Sequence, residues 1–116
     1  MSDTIFGKII RGEIPATKLY EDEHCIAIND IHPRAPVHIL VIPKKAIPRL
    51  VDAKAEDQTL LGHLLLVAGK LAEQHGVGNS FRVLVNNGEG AGQTVFHLHL
   101  HILGNDKYSE ADMATA

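Results

Sequence analysis

Val95–Leu103 reads Val-Phe-His-Leu-His-Leu-His-Ile-Leu. A strand repeats every two residues, so His97, His99 and His101 are predicted on one face. Phe96, Leu98, Leu100 and Ile102 then project from the other, toward a core. Alternate positions stand about 7 Å apart along a strand. That spacing suits an extended anionic group lying along the strand, or a metal ion. Imidazole attacks phosphorus or an acyl centre when its reactive nitrogen is unprotonated. With a reference pKa of about 6.5, a large neutral fraction exists at pH 7. The second ring nitrogen must donate to a fixed acceptor, and a neighbouring backbone carbonyl can serve. His99 has an imidazole on either side, so it can attack a phosphate that the others cradle.

The segment before the triad offers the second half of such a site. Gly88-Glu-Gly-Ala-Gly92 is followed by Gln93 and Thr94. Glycine lets backbone approach a ligand closely, and loop N–H groups can form an anion-binding concavity. The plain alternative is a flexible turn. His38 sits inside the apolar run Val37–Ile42, where a satisfied core histidine is the bland reading. Asp30, ahead of Pro33, reads by itself as a turn cap. Zinc is the competing chemistry, since two or three strand histidines can bind it with an open position. Glu89 is the one acidic or thiol side chain in this strand and loop.

The alternation of His, apolar, His, apolar, His and two apolars resembles the signature of the histidine triad family. Asp3–Pro15, Asp30–Lys45 and Asn86–Gln93 extend the likeness, which resembles the Hint branch of small nucleotide-binding phosphoramidases up to Gly104. The resemblance implies that His99 forms a covalent nucleotidyl-histidine that water then hydrolyses. His97 and His38 resemble the pair that hydrogen-bonds behind it, and His101 the residue contacting the phosphate and the departing group. Asn86, Gly92, Gln93 and Thr94 resemble contacts to the α-phosphate, with Asn86 also near the ribose. Asp30 resembles the acid that accepts from the ribose hydroxyls. Ile5, Phe6, Ile14, Ile28, Ile31 and Leu40 resemble the apolar slot for the base. Implied partners are a purine nucleotide (AMP, GMP, adenosine or their phosphoramidates) and a second copy of the chain, with no cofactor and no metal. The resemblance implies hydrolysis of the P–N bond in purine nucleoside phosphoramidates. A nucleotide-sensing interaction module and a dinucleoside polyphosphate hydrolase remain the alternatives.

These side chains need a scaffold. Ser2, Asp3 or Thr4 can cap a short helix carrying Ile5, Phe6, Ile9 and Ile10, with Gly12 as its stop. Leu19-Tyr20 and Cys25–Ile28 read as strands around the turn Glu21-Asp22-Glu23. Asp30–Pro36 is a loop, and Val37–Ile42 a central strand ended by Pro43. Ala55–His75 reads as the long helix, with Glu56 and Asp57 in its first turn and Gly76 after it. Its apolar surface is wider than packing on one sheet requires, and Gly62 and Gly69 lie one heptad apart. Phe81–Asn87 is the strand before the glycine-rich segment. The expectation is an α+β domain over residues 1–104, with a mainly antiparallel five-stranded sheet that continues into a dimer partner. Residues 105–116 are expected to form a loosely held tail.

Composition bounds the rest. The 116 residues suffice for one domain with a real core. Net charge is −3 and no basic run exceeds Lys44-Lys45, so a nucleic-acid face is not expected. Cys25 is the only cysteine, which leaves no intrachain disulfide. The apolar run within Thr59–Gly69 is too short to span a bilayer. The N-terminal stretch lacks a signal-peptide apolar core. The cytoplasm is the expected compartment, with no membrane partner. His24, His32, His63 and His75 have no patterned partner and are expected to be surface or packing residues.

Overall fold

A computed structural model describes residues 4–109. The Thr4 hydroxyl accepts a hydrogen bond from the Gly7 N–H at 3.1 Å and caps helix α1, Ile5–Ile10. Ser2 and Asp3, the other predicted caps, lie outside the described residues. The chain leaves α1 through Gly12 at φ +77°, a left-handed conformation that glycine adopts without strain.

Five strands follow: β1 (Tyr20–Glu21), β2 (Cys25–Asn29), β3 (Val37–Pro43), β4 (Phe81–Leu84) and β5 (Leu100–Gly104). They form one antiparallel sheet in the order β1-β2-β3-β5-β4. The architecture is the expected α+β one. Asp22 makes the first turn, its Oδ1 accepting the N–H groups of His24 and Cys25 at 2.7 and 2.9 Å. Helix α2, Gln58–Gln74, lies between β3 and β4 in sequence.

Strand alternation gives the sheet two different faces. Cys25, Ala27, Ile39, Val41, Leu100 and Ile102 bury one face against Leu64, Val67, Ala68 and Leu71 of α2. Ile26, Ile28, Leu40 and Ile42 take the opposite face with Phe6 and Ile9 of α1. In the register, Ile28 stands opposite Leu40, and Leu40 opposite His101. His101 therefore belongs to the α1 face. So does His38, two residues before Leu40. One face is sealed by the long helix, while the other carries the imidazoles under a short one.

Three boundaries differ from expectation. Residues 55–57 form a separate 3-10 turn, and α2 begins only at Gln58. Asp57 is buried there, bound to the Lys54 N–H at 2.9 Å and to the Lys45 ammonium. It anchors a turn instead of facing the helix dipole. The strand expected over Phe81–Asn87 ends at Leu84, where its pairing with β5 ends.

The largest difference is at the triad. β5 begins at Leu100, so the strand expected from Val95 does not form before that residue. The ladder with β3 ends at Val41 opposite Leu100, although β3 itself runs on to Pro43, and the segment before Leu100 bonds elsewhere. The Leu98 N–H donates to the Ile47 carbonyl at 2.6 Å. As a result Phe96 is 41 % exposed, where alternation placed it toward the core with Leu98, Leu100 and Ile102. Those three are buried as expected.

Tyr108 of the expected tail lies under the Arg82 guanidinium, 4.3 Å from ring centroid to the cation. Residues 110–116 lie outside the described residues. Among the described residues, no helix is long and apolar enough to cross a membrane.

Candidate functional site

His97, His99 and His101 are buried together with His38. The ring centroids of His99 and His101 are 4.9 Å apart, and those of His101 and His38 are 5.2 Å apart. Phe6 of α1 presents its ring edge-on to His99 at 5.0 Å and to His97 at 6.4 Å. The short N-terminal helix thus closes the apolar side of the cluster.

Burial disfavours the charged form of all four rings. It lowers the pKa of His38, of His97 and of His99 below the ordinary histidine value. His101 is pushed down to about 4, first by burial and then by His99 and His38 beside it. At pH 7 the rings are neutral, and each carries one N–H.

The hydrogen bonds then fix which nitrogen holds it. The Arg34 N–H donates to His38 Nδ1 at 2.9 Å, so the His38 proton is on Nε2. That N–H donates to His101 Nδ1 at 2.9 Å, which leaves the His101 proton on Nε2. His99 Nδ1 donates to the His97 carbonyl at 2.7 Å, so His99 Nε2 is a free lone pair. His97 Nε2 donates to the Pro43 carbonyl at 2.7 Å. Among the described residues, two buried ring nitrogens have no hydrogen-bond partner, His97 Nδ1 and His101 Nε2. A buried N–H without a partner costs about 1–3 kcal/mol, and an anionic ligand at His101 would remove that cost.

The pairing differs in detail from expectation. His38 bonds to His101 and not to His99. His97 orients His99 through its backbone carbonyl, while its ring anchors the segment to the end of β3.

The glycine-rich connection is a 3-10 turn over Glu89–Ala91, flanked by Gly88 at φ +91° and Gly92 at φ +93°. The N–H groups of Ala91, Gly92 and Gln93 bond within the turn. The buried Gln93 side chain is engaged too. Its Oε1 accepts the Gly88 N–H at 2.7 Å, and its Nε2 donates to the Pro48 and Val95 carbonyls at 2.7 and 3.0 Å. Gln93 therefore shapes the loop instead of offering a free amide. Thr94 is exposed just ahead of the triad. Asn86 lies beside Gly92, where an added Cβ would stand 3.8 Å from its Nδ2.

Phe6, Ile28 and Leu40 are buried in one cluster, with Ile14 packed against it. Ile5 is exposed, and Ile31 is 82 % exposed on the β2–β3 loop. These two are surface groups and not members of that core. Asp30 starts the same loop. Its Oδ1 accepts the His32 N–H at 2.8 Å, as a turn cap does, and its Oδ2 lies 3.4 Å from His38 Nε2.

Sequence reading placed only Glu89 near the triad as a metal-ligating carboxylate. The fold brings Asp30 there. Ligand atoms of Asp30, His38 and His101 lie within 4.8 Å of one another, a set able to hold a divalent metal. Asp22, Cys25 and His63 form a second such set, in which His63 Nε2 bonds Asp22 Oδ2 at 2.6 Å. The His97 carbonyl is the neighbouring backbone acceptor expected for His99, whereas no side-chain pattern marks the acceptors at Pro43 and Pro48.

A family model described as the HIT domain matches residues 11–108. An uncharacterized HIT-like protein of Synechocystis sp. is 59 % identical over 107 residues, covering 92 % of this chain and 94 % of that one. A HIT family hydrolase from Legionella pneumophila superposes with a TM-score of 0.90 at 42 % identity, covering 93 % of this chain and 97 % of that one. A histidine triad protein from Clostridium difficile gives 0.88 at 44 % identity, with coverages of 95 % and 96 %. These likenesses support a nucleotide hydrolase or nucleotide-binding role. With its buried, hydrogen-bonded histidine cluster on the open face of a five-stranded antiparallel sheet, this chain belongs to the histidine triad (HIT) family.

Proposed function

We propose that the chain is a hydrolase of the Hint branch that cleaves the P–N bond of purine nucleoside 5′-phosphoramidates, of AMP-NH₂ or AMP-lysine type. One observation carries the proposal. The 2.7 Å bond from His99 Nδ1 to the His97 carbonyl keeps the Nε2 lone pair unprotonated, next to a ring whose Nε2–H is buried and unpartnered.

In this reading His99 Nε2 attacks phosphorus, the P–N bond breaks, and the departing amine takes up a proton. Water then attacks the nucleotidyl-histidine, releasing the nucleotide and restoring His99. His101 Nε2–H donates toward the phosphate or the departing nitrogen. Thr94, Asn86 and the turn at Gly92 and Gln93 line the phosphate end. Asp30 takes the ribose, and Phe6, Ile14, Ile28 and Leu40 form the apolar slot, with Ile5 and Ile31 at its exposed rim. The hydrolase description of the Legionella relative supports the reaction class.

The same proposal includes a two-fold homodimer. Leu65 and Leu66 are 58 % and 77 % exposed on α2. Around Gly62 and Gly69 nothing lies within 4 Å of an added Cβ, so the outer helix face is bare and apolar. β4 is an edge strand whose Val83 is also exposed, and pairing it with a second copy would continue the sheet. Cys25 is a buried free thiol that needs no oxidising compartment, and we place the protein in the cytoplasm.

Turnover of adenosine 5′-phosphoramidate with and without EDTA tests the chemistry. Release of AMP that persists in excess chelator, with a trapped covalent nucleotide on His99, is the expected result. Loss on chelation, restored by zinc, would instead favour a metal held by Asp30, His38 and His101.

A further inference from the structure

A second group of donors gathers where the β1–β2 turn meets α2. Asp22 Oδ1 accepts the His24 and Cys25 N–H groups. Its Oδ2 accepts from the Tyr20 hydroxyl at 2.8 Å and from His63 Nε2 of α2 at 2.6 Å. The Cys25 thiol is fully buried beside them. Ligand atoms of Asp22, Cys25 and His63 lie within 4.8 Å of one another. The His24 ring stands 5.3 Å from the His63 ring, so a fourth donor is at hand. Cys25 packs with α2, whereas the imidazole cluster lies on the α1 face. The two groups are therefore on opposite faces of the sheet.

The charge of Asp22 calls for a cation. Burial opposes that charge, but hydrogen bonds from the His24 N–H, His63, Tyr20 and the Cys25 N–H outweigh burial and keep the carboxyl ionised. Its side chain is only 22 % exposed. Lys18 and Lys44 pair with Glu21 instead, and among the described residues no lysine or arginine pairs with Asp22. The counter-charge is left to His63, or to a cation bound in place of the His63 proton. A carboxylate, a thiolate and an imidazole form a donor set that suits zinc. Zinc bonds of about 2.0–2.3 Å hold tetrahedral ligand atoms roughly 3.5 Å apart, a spacing that these side chains reach by small adjustments.

We propose that Asp22, Cys25 and His63 form a zinc site that fastens α2 to the β1–β2 turn, with His24 beside the fourth position. Zinc replaces the proton between His63 Nε2 and Asp22 Oδ2. The imidazole keeps its single proton by carrying it on Nδ1, and the Cys25 thiol releases its proton to solvent as the S–Zn bond forms. The Tyr20 hydroxyl and the two backbone N–H groups stay on the carboxylate and hold it in place. One carboxylate and one thiolate then balance the two charges of the ion in a site mostly shielded from water. This site lies apart from the chemistry at His99 and does not depend on the phosphoramidase reading.

Cobalt(II) titration of the full chain, first stripped of metal with EDTA, tests the proposal. Cys25 is the only cysteine, so a thiolate-to-cobalt charge-transfer band reports this site alone. The expected result is such a band, with the visible bands of tetrahedral cobalt, saturating at a single ion per chain and displaced by zinc. The band should vanish in Cys25→Ala. In His63→Gln half-saturation should need at least about tenfold more cobalt, the scale set by losing even a group that only orients a ligand. In His101→Ala, which removes the Asp30–His38–His101 set, the band should be unchanged. Zinc should also raise the urea midpoint of the native protein and leave that of His63→Gln where it is. Cobalt bound without a thiolate band, or a band of equal affinity in His63→Gln, would overturn the proposal. Should Cys25→Ala fail to fold, His63→Gln decides, since that side chain is 31 % exposed. Folded native protein that binds no cobalt at millimolar excess would leave Asp22 and His63 as a hydrogen-bonded clamp only, and the zinc site would be withdrawn.

Discussion

His99 and His101 have different chemistry because their fixed nitrogens differ. His99 spends Nδ1–H on a backbone carbonyl and keeps a lone pair at Nε2, whereas His101 spends Nδ1 as an acceptor and keeps an N–H at Nε2. His99→Ala should therefore abolish the covalent intermediate and lower kcat about a thousandfold or more, while nucleotide binding survives. His101→Ala should cost roughly a hundredfold, the scale of a lost proton donor, and still trap nucleotide on His99. Rapid-quench mass spectrometry of both variants checks this, and nucleotide trapped on His99→Ala would refute the assignment. At this scale the triad was plain in the sequence, because three histidines at a spacing of two have few other uses. The partner of His38 was not. It depends on a loop that folds Arg34 and Asp30 back onto β3, and no local pattern encodes that approach.

Sequence periodicity located most elements and missed where the strands stop. β2 and β3 read as apolar runs and formed as such. Alternation predicts a longer β5 than the one that forms, because it does not reveal that pairing with β3 stops at Val41 opposite Leu100 and that the Leu98 N–H goes to the Ile47 carbonyl. The helices and turns were marked by Thr4, Gly12 and Gly76, each a residue with a specific capping role. Glycines also show where elements meet. At Gly104, opposite Val37 and Phe81 in the sheet, an added Cβ would stand 2.8 Å from Val77 Cγ2 and 2.9 Å from its Cβ. Gly104→Ala should cost about 1–3 kcal/mol through overpacking. Gly92 is the opposite case. It has room for a methyl group but sits at φ +93°, so Gly92→Ala should cost roughly 1–2 kcal/mol through backbone strain alone. The two are separated by activity: Gly92→Ala should lower kcat/KM, whereas folded Gly104→Ala should retain it. Urea melts beside initial rates give both numbers.

For the molecule as a whole, the bare outer face of α2 and the edge at β4 predict self-association. Leu66→Lys with Leu65→Glu should convert a dimer to a monomer in sedimentation at micromolar concentration. A native protein that sediments only as monomer would sink the dimer. The imidazole cluster makes a second prediction at this scale. Four buried rings are held below their ordinary pKa. In the unfolded chain they return to about 6.5. The unfolded state therefore binds more protons once the pH drops below that value, and folding stability falls with it. For His101 the loss runs from about pH 6.5 to about pH 4. Its full size is on the order of 3 kcal/mol, at about 1.4 kcal/mol per unit. The other three add to the decline from its upper end downward. Asp22 does not overlap this window: its carboxyl is held far below the usual range by backbone N–H groups, His63 and Tyr20, against the opposing effect of burial. Its contribution is lost only as the pH falls below the ordinary carboxylate value. Urea midpoints at fixed protein concentration should drop steadily between pH 7 and pH 4.5, with an unchanged m-value. His101→Gln, which cannot titrate, should flatten part of that slope. A midpoint constant from pH 7 to pH 5 would mean that the cluster takes up protons without unfolding, and the neutral tautomers assigned here would have to be abandoned.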